Sequence, residues 1–157
     1  MDDRLFRDAM GKFATGVTVL LTEHEGATHG MTANGFMSVS LDPKLVLISV
    51  GHKTKFIHKV SQSKKYTVNI LAEDQEHYSL HFAGKPGADV EFETLAEQPV
   101  LKGAIAQIAC EVVSEHIEGD HTLFVGKVVD LRFEDKNPLL FFGGKYRQIA
   151  ELKSVKA

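Results

Sequence analysis

Tryptophan is absent from this chain of 157 residues, proline occurs only 4 times and cysteine once. A single cysteine excludes an intrachain disulfide and suits a reducing compartment, so a cytoplasmic protein is expected. Cys110 stands in the apolar segment Ile108-Ala109-Cys110-Glu111-Val112, a packing position. A reactive thiolate needs an exposed, electropositive setting instead. A basic excess is also missing. With 18 Lys and Arg against 21 Asp and Glu, the net charge of −3 leaves no electrostatic case for nucleic acid or an anionic membrane. Apolar runs such as Leu45 to Val50 are far too short to cross a bilayer. The acidic start, Met-Asp-Asp-Arg, leads into a helical pattern and not a signal peptide. Neither Gly-x-Gly-x-x-Gly after a strand nor Gly-x-x-x-x-Gly-Lys-Ser/Thr occurs, which argues against a doubly wound dinucleotide fold or a P-loop enzyme. Gly-x-Ser-x-Gly and paired-cysteine metal motifs are absent as well.

What remains has the length of one domain, 1–157, with no linker, repeat or low-complexity tract. Residues 4–14 read as an amphipathic helix, with Phe6, Met10 and Phe13 on one face, Asp2 or Asp3 as cap and Gly16 as stop. The β-rich run 17–22, the turn Glu25-Gly26 and residues 28–33 predict a hairpin. Residues 45–50, bounded by Asp42-Pro43 and Gly51, suit a strand buried on both faces. A short helix over 54–61 with Thr54 as N-cap, a strand over 66–71 and a helix over 74–82 follow, then the loop 83–90. Strands are expected over 104–113, 122–133 and 139–142, the first two joined tightly at Glu118-Gly119-Asp120. Many strands, few helices and little alternation of the two predict a mainly β fold, an antiparallel barrel with peripheral helices.

The stretch Gly30 to Phe56 carries most of the chemical promise. Thr32, Asn34, Ser38 and Ser40 offer donors and acceptors in a segment of little bulk, which suits the polar edge of a flat heterocycle. Ser49 and Gly51-His52-Lys53-Thr54-Lys55 then precede a short helix. Its backbone N–H groups, a hydroxyl and two lysines make a phosphate site, or else an ordinary capped helix with solvated lysines. His77 and His81 have metal-chelating helical spacing, but no Glu follows His77 and no third ligand is evident nearby, so an exposed or half-buried helix face is the favoured reading. His121 is either a turn residue or a ring facing a ligand at the barrel mouth. Tyr146, between Lys145 and Arg147, is either an aromatic ligand face or a charged strand end.

The run Gly-Met-Thr-Ala-Asn-Gly-Phe-Met-Ser-Val-Ser-Leu-Asp-Pro-Lys-Leu-Val-Leu from Gly30 closely resembles the signature of the short-chain flavin reductases. Phe6 to Val19, Phe82-Ala83-Gly84, Gly119-Asp120-His121-Thr122-Leu123-Phe124 and Pro138 to Arg147 agree in order and spacing. The likeness covers nearly the whole chain. It is strongest to the small reductase component of two-component phenol and 4-hydroxyphenylacetate hydroxylases. It implies an FMN-binding split β-barrel, antiparallel and of Greek-key type, and an NADH:flavin oxidoreductase that supplies a monooxygenase acting on aromatic rings. FAD would be the flavin, with FMN possible. The resemblance implies a homodimer, and reduced flavin would reach the oxygenase by diffusion. Carried over by position, Met31, Thr32, Ala33 and Asn34 with Ser38 would line the isoalloxazine. Ser49, Val50, Gly51, His52, Lys53, Thr54 and Lys55 would hold the ribityl chain and phosphates. Phe82, Ala83 and Gly84 would close over the flavin, and His121 and Tyr146 would receive the nicotinamide nucleotide. No side chain would act as a catalytic group, since the cofactors carry the hydride, and no metal is implied. Two positions depart from the pattern: Gly35 where many members have Ser or Ala, and His52-Lys53-Thr54 for an Asp-Arg-Ser type of sequence. Rival expectations are a split barrel that stores or senses flavin or haem, a pyridoxamine-phosphate type oxidase, and a domain without ligand.

Overall fold

The computed structural model describes residues 1–152, so the 1–157 domain span extends beyond the described residues. The β-branched and aromatic runs form strands as expected, but the most deeply buried one is not the one the pattern suggested. β2 (Thr18–His24) has Thr18 to Thr22 all buried. Leu20 points into one core and Val19 and Leu21 into another on the opposite face. β5 (Lys44–Gly51), expected to be buried on both faces, alternates instead. Val46, Ile48 and Val50 enter the core while Leu45, Leu47 and Ser49 stay half-buried. The cause is position: β5 lies beside the terminal strand of the sheet, with no second layer over its outer side.

The main sheet has seven strands in the order β3 (Ala27–Ala33), β2, β6 (Lys65–Ile70), β9 (Ala106–Glu118), β10 (His121–Phe133), β5, β4 (Phe36–Leu41), with every pair antiparallel. Its two end strands are joined through Asn34 and Gly35 alone, so the same stretch of chain leaves one edge and continues along the other. That connection curls the sheet into a barrel whose split lies along β3 and β4. The crossovers implied by this order fit the expected Greek-key split barrel. The hairpin between β2 and β3 turns at Glu25 and Gly26, both at positive φ, as a right-twisted two-residue hairpin requires.

α2 (Phe56–Ser63) plugs the barrel with Phe56, Ile57 and Val60. α3 (Glu76–Phe82) and the hairpin of β7 (Phe92–Leu95) and β8 (Gln98–Leu101) cover the outer core at Tyr78 and Leu101. A small sheet of β1 (Thr15–Gly16), β11 (Leu140–Phe142) and β12 (Lys145–Arg147) completes the outer layer.

Several expectations need correction. α1 spans Asp3–Met10, capped by Asp2, which accepts the Arg4 N–H at 2.8 Å. It stops at Gly11, and Gly16 lies in β1 opposite Leu140. No residue of α1 is buried. Thr54 does not cap α2, because its hydroxyl donates back to the Gly51 carbonyl at 2.8 Å. α3 starts at Glu76 and not at Asp74, while β4, β7 and β8 form without a strong strand signal. Among the described residues no helix is long and apolar enough to cross a membrane.

Candidate active site

The junction between β3 and β4 is held tightly. The Ser49 N–H donates to the Gly35 carbonyl at 2.9 Å, and a Cβ on Gly35 would stand 3.2 Å from that of Ser49. A larger residue at Gly35 would press on β5. Along β3, Met31 and Ala33 pack on the barrel core, and Val50 of β5 is buried within it. Val50 can meet a ligand only through main-chain atoms, while Met31 and Ala33 stay half-buried. β3 has a strand partner on one side only, so its other backbone edge keeps hydrogen-bonding capacity. Asn34 is exposed at the bend, and Ser38, also exposed, sits opposite Val46, displaced from Ser49 along the strand.

Gly51 to Lys55 leads from β5 into α2. Its fold leaves that helix with Lys55 at the N-cap position and no side-chain cap. The first-turn N–H groups of α2 therefore stay available, beside the exposed Lys53 and Lys55. That uncapped end, with lysine charge and the partial positive charge of the helix, fits a phosphate group. The loop is braced by the β9–β10 turn. His52 N–H donates to the Asp120 carbonyl at 2.9 Å, and His52 Nε2 lies 2.9 Å from Thr122 Oγ1. His121 contacts Asp120 Oδ1 through Nδ1 at 2.8 Å, and its ring lies against Gly51. The hydrogen bond to His121, with its charge, holds the Asp120 carboxyl below the usual range. His121 is thus a turn residue, and its half-exposed ring borders the predicted anion loop.

A second cluster gathers on α3. Thr32 Oγ1 donates to the Ser79 carbonyl at 2.6 Å, and Ser79 Oγ lies 2.6 Å from Tyr146 Oη. Tyr146 packs edge-on against Phe141, with ring centroids 5.4 Å apart. The Phe82 ring covers Gly30, where an added Cβ would come within 2.8 Å of it. His81 Nδ1 accepts the N–H groups of Gly87 and Ala88, each at 3.1 Å, and Tyr78 Oη accepts that of Glu91 at 3.2 Å. His81 is thus a latch on the loop 83–90, and His77 stacks on Tyr78 at 4.3 Å. Ser79 escaped the sequence reading as a site residue, and His81 entered it only as a possible metal ligand with His77. The partners of Ser79 lie 47 and 67 residues away in the chain, beyond any local pattern.

Two clefts of about 750 Å³ and 700 Å³ flank α1 and meet at Asn34. Met10 and Phe13 line both; Phe36 borders one, and Gly143 with Gly144 the other. Neither reaches Ser49 to Lys55 or His121, so the cavities and the anion loop adjoin different parts of the β3–β4 junction. Cys110 is fully buried, and burial pushes its thiol up to about 12, the state of a packing residue.

Comparison with known proteins gives this arrangement its context. The flavin reductase PheA2 in its native state shares 61% identity and a TM-score of 0.94, over 96% of this chain and 100% of that one. The Streptomyces globisporus NADH:FAD oxidoreductase SgcE6, solved with NAD and FAD fragments, shares 35% identity and a TM-score of 0.88, over 94% and 93% of the two chains. The reductase component of 4-hydroxyphenylacetate 3-monooxygenase from Thermus thermophilus is 36% identical, over 92% of this chain and 95% of its own. The model of the flavin reductase like domain matches residues 10–150, and with these likenesses it makes the chain a member of that family.

Proposed function

We propose that this chain is an NADH-dependent flavin reductase that passes a hydride from NADH to FAD, or to FMN, and supplies a partner monooxygenase acting on aromatic rings. The observation that carries the reading is the uncapped N-terminus of α2 with Lys53 and Lys55, on a helix tied to β3 through Lys59 and His29, together with the backbone edge of β3 that has no strand partner. One end suits a phosphate, the other the donors and acceptors of a flavin ring. The solved relative holding NAD and FAD fragments supports the same pair of ligands.

When bound, the flavin supplies the hydride acceptor, so no protein nucleophile is needed. The work of the chain is binding, orientation and exclusion of water. The backbone of Met31 to Asn34, with Ser38 at the far end, faces the ring. Main-chain N–H groups there would stabilise negative charge on a bound, reduced flavin by preorganised hydrogen bonding. Ser49, the main chain of Val50, and Gly51 to Lys55 take the ribityl chain and phosphates. Phe82, Ala83 and Gly84 close one side, and Tyr146 and His121 receive the nicotinamide nucleotide.

A homodimer completes the site in this reading. Phe6, Met10 and Phe13 of the α1 region are exposed and line the clefts at Asn34, so a second copy over them would bury both. Reduced flavin reaches the oxygenase by diffusion, without a stable complex between the two proteins.

The test is direct. Purified protein is mixed with NADH, with and without FAD or FMN, and absorbance at the nicotinamide band is followed. Rapid flavin-dependent NADH consumption is expected. A yellow protein inert to NADH would instead favour the storage or sensing role.

A further inference from the structure

We infer that Ser79 is a positioning residue that fixes the Tyr146 ring relative to the flavin-facing strand β3, an inference that rests on the reductase reading above. Ser79 is fully buried on α3, and its two oxygens serve different walls of the candidate site. Its carbonyl accepts the Thr32 hydroxyl from β3 at 2.6 Å, and its hydroxyl meets Tyr146 Oη at 2.6 Å. One residue therefore ties the strand proposed to face the flavin to the ring proposed to meet the nicotinamide.

The tie matters because β12 has no strand pairing with the barrel. It is a three-residue strand whose ladder partner is β11, in a sheet separate from the barrel. The edge contact with Phe141 supports the ring, yet Phe141 belongs to the same small sheet. Tyr146 also packs on the outer core, and the bond to α3 adds the polar contact that sets the direction of the ring against the barrel. With its hydroxyl engaged by Ser79, Tyr146 offers a ligand the ring and not the oxygen. Tyr146→Phe thus keeps the offered surface and removes only the tether. Hydride transfer is sensitive to such placement, since an error of about 1 Å can cost up to ~100-fold in rate.

The experiment is a double-mutant cycle of Ser79→Ala and Tyr146→Phe, reading kcat/KM for NADH, FAD affinity by titration, and melting temperature. Each single variant is expected to lose about fivefold in kcat/KM for NADH, with FAD affinity within about twofold of wild type. The double variant should be no worse than either single one, because both remove the same bond. Should Ser79→Ala fail to fold, Tyr146→Phe alone carries the same expectation. Multiplying losses in the double variant, or a lowered melting temperature with unchanged NADH kinetics, overturns the inference and leaves the reductase reading standing. A wild-type chain that does not oxidise NADH with flavin overturns both.

Discussion

His121 sits at the turn between β9 and β10, with its ring against the loop that leads into α2. Its Nδ1 bond to Asp120 orients the ring over Gly51, at the edge of the loop assigned to phosphate. The ring stands outside that loop, so its loss should affect the second ligand more than the first. His121→Ala is expected to raise the Michaelis constant for NADH by ~10-fold, about 1.4 kcal/mol, with little change in flavin titration. A larger effect on flavin binding would displace His121 from the nicotinamide side. A different single residue guards the core. A Cβ on Gly126 would lie 2.3 Å from the Tyr66 hydroxyl, which donates to the Phe124 carbonyl inside the barrel. Burial raises the Tyr66 pKa, keeping that hydroxyl protonated and able to donate. Gly126→Ala should destabilise the protein by about 1–3 kcal/mol in urea unfolding, the usual cost of overpacking. An unchanged midpoint would mean that the Tyr66 ring has room to move.

Among the elements, α2 shows where local rules were informative and where they failed. Its apolar face, Phe56, Ile57 and Val60, was legible because helical spacing records which side is buried. Its cap was not, because the Thr54 hydroxyl can accept a first-turn N–H or donate to a nearby carbonyl, and donation to the Gly51 carbonyl wins. The same limit hid β4: Phe36-Met37-Ser38-Val39-Ser40-Leu41 reads as a polar wall, and becomes a strand only by pairing with β5. Which of Met31, Thr32 and Ala33 face a ligand was equally invisible, since it depends on what lies on each side of β3. The missing cap makes the phosphate assignment testable. Lys53→Ala with Lys55→Ala should weaken FMN and FAD binding by ~10-fold, an effect that shrinks at high salt. Riboflavin, which lacks the phosphate, should bind both proteins alike; equal losses for riboflavin would remove the phosphate role. α2 is also braced to β9 by Glu115, which accepts from Lys64 and, at 2.9 Å, from Ser61. Burial raises the Glu115 pKa, but the bonds from Lys64 and Ser61 and the lysine charge prevail and lower it. A depressed carboxyl stabilises the fold above its unfolded pKa, and that contribution is lost as pH falls through the folded value. Glu115→Gln should therefore lower the melting temperature at pH 7, and the difference from wild type should narrow steadily below about pH 4.

At the scale of the molecule, the barrel closes because one stretch, Ala27 to Leu41, serves both edges of the sheet and bends at Asn34-Gly35. The bend leaves the backbone edges of β3 and β4 open where the clefts beside α1 meet. The pattern of α1 was read correctly as amphipathic, but none of its residues is buried against the rest of the described residues. Phe6 is 55% exposed and Met10 56% on α1, and Phe13 just beyond it 80%, which is costly for so apolar a stretch. A second copy is the simplest cover, because an isologous contact offers each protomer the same apolar surface and seals both clefts at once. The protein is expected to sediment as a dimer at micromolar concentration. Phe13→Asp, which places a charge in that contact, should shift it to a monomer while the isolated fold keeps its far-UV circular dichroism. The monomer should also bind flavin more weakly, because the clefts at Asn34 would then lie open to water. A wild-type monomer that binds flavin tightly would refute the shared site, and a dimer indifferent to Phe13→Asp would place the interface on another face of the barrel.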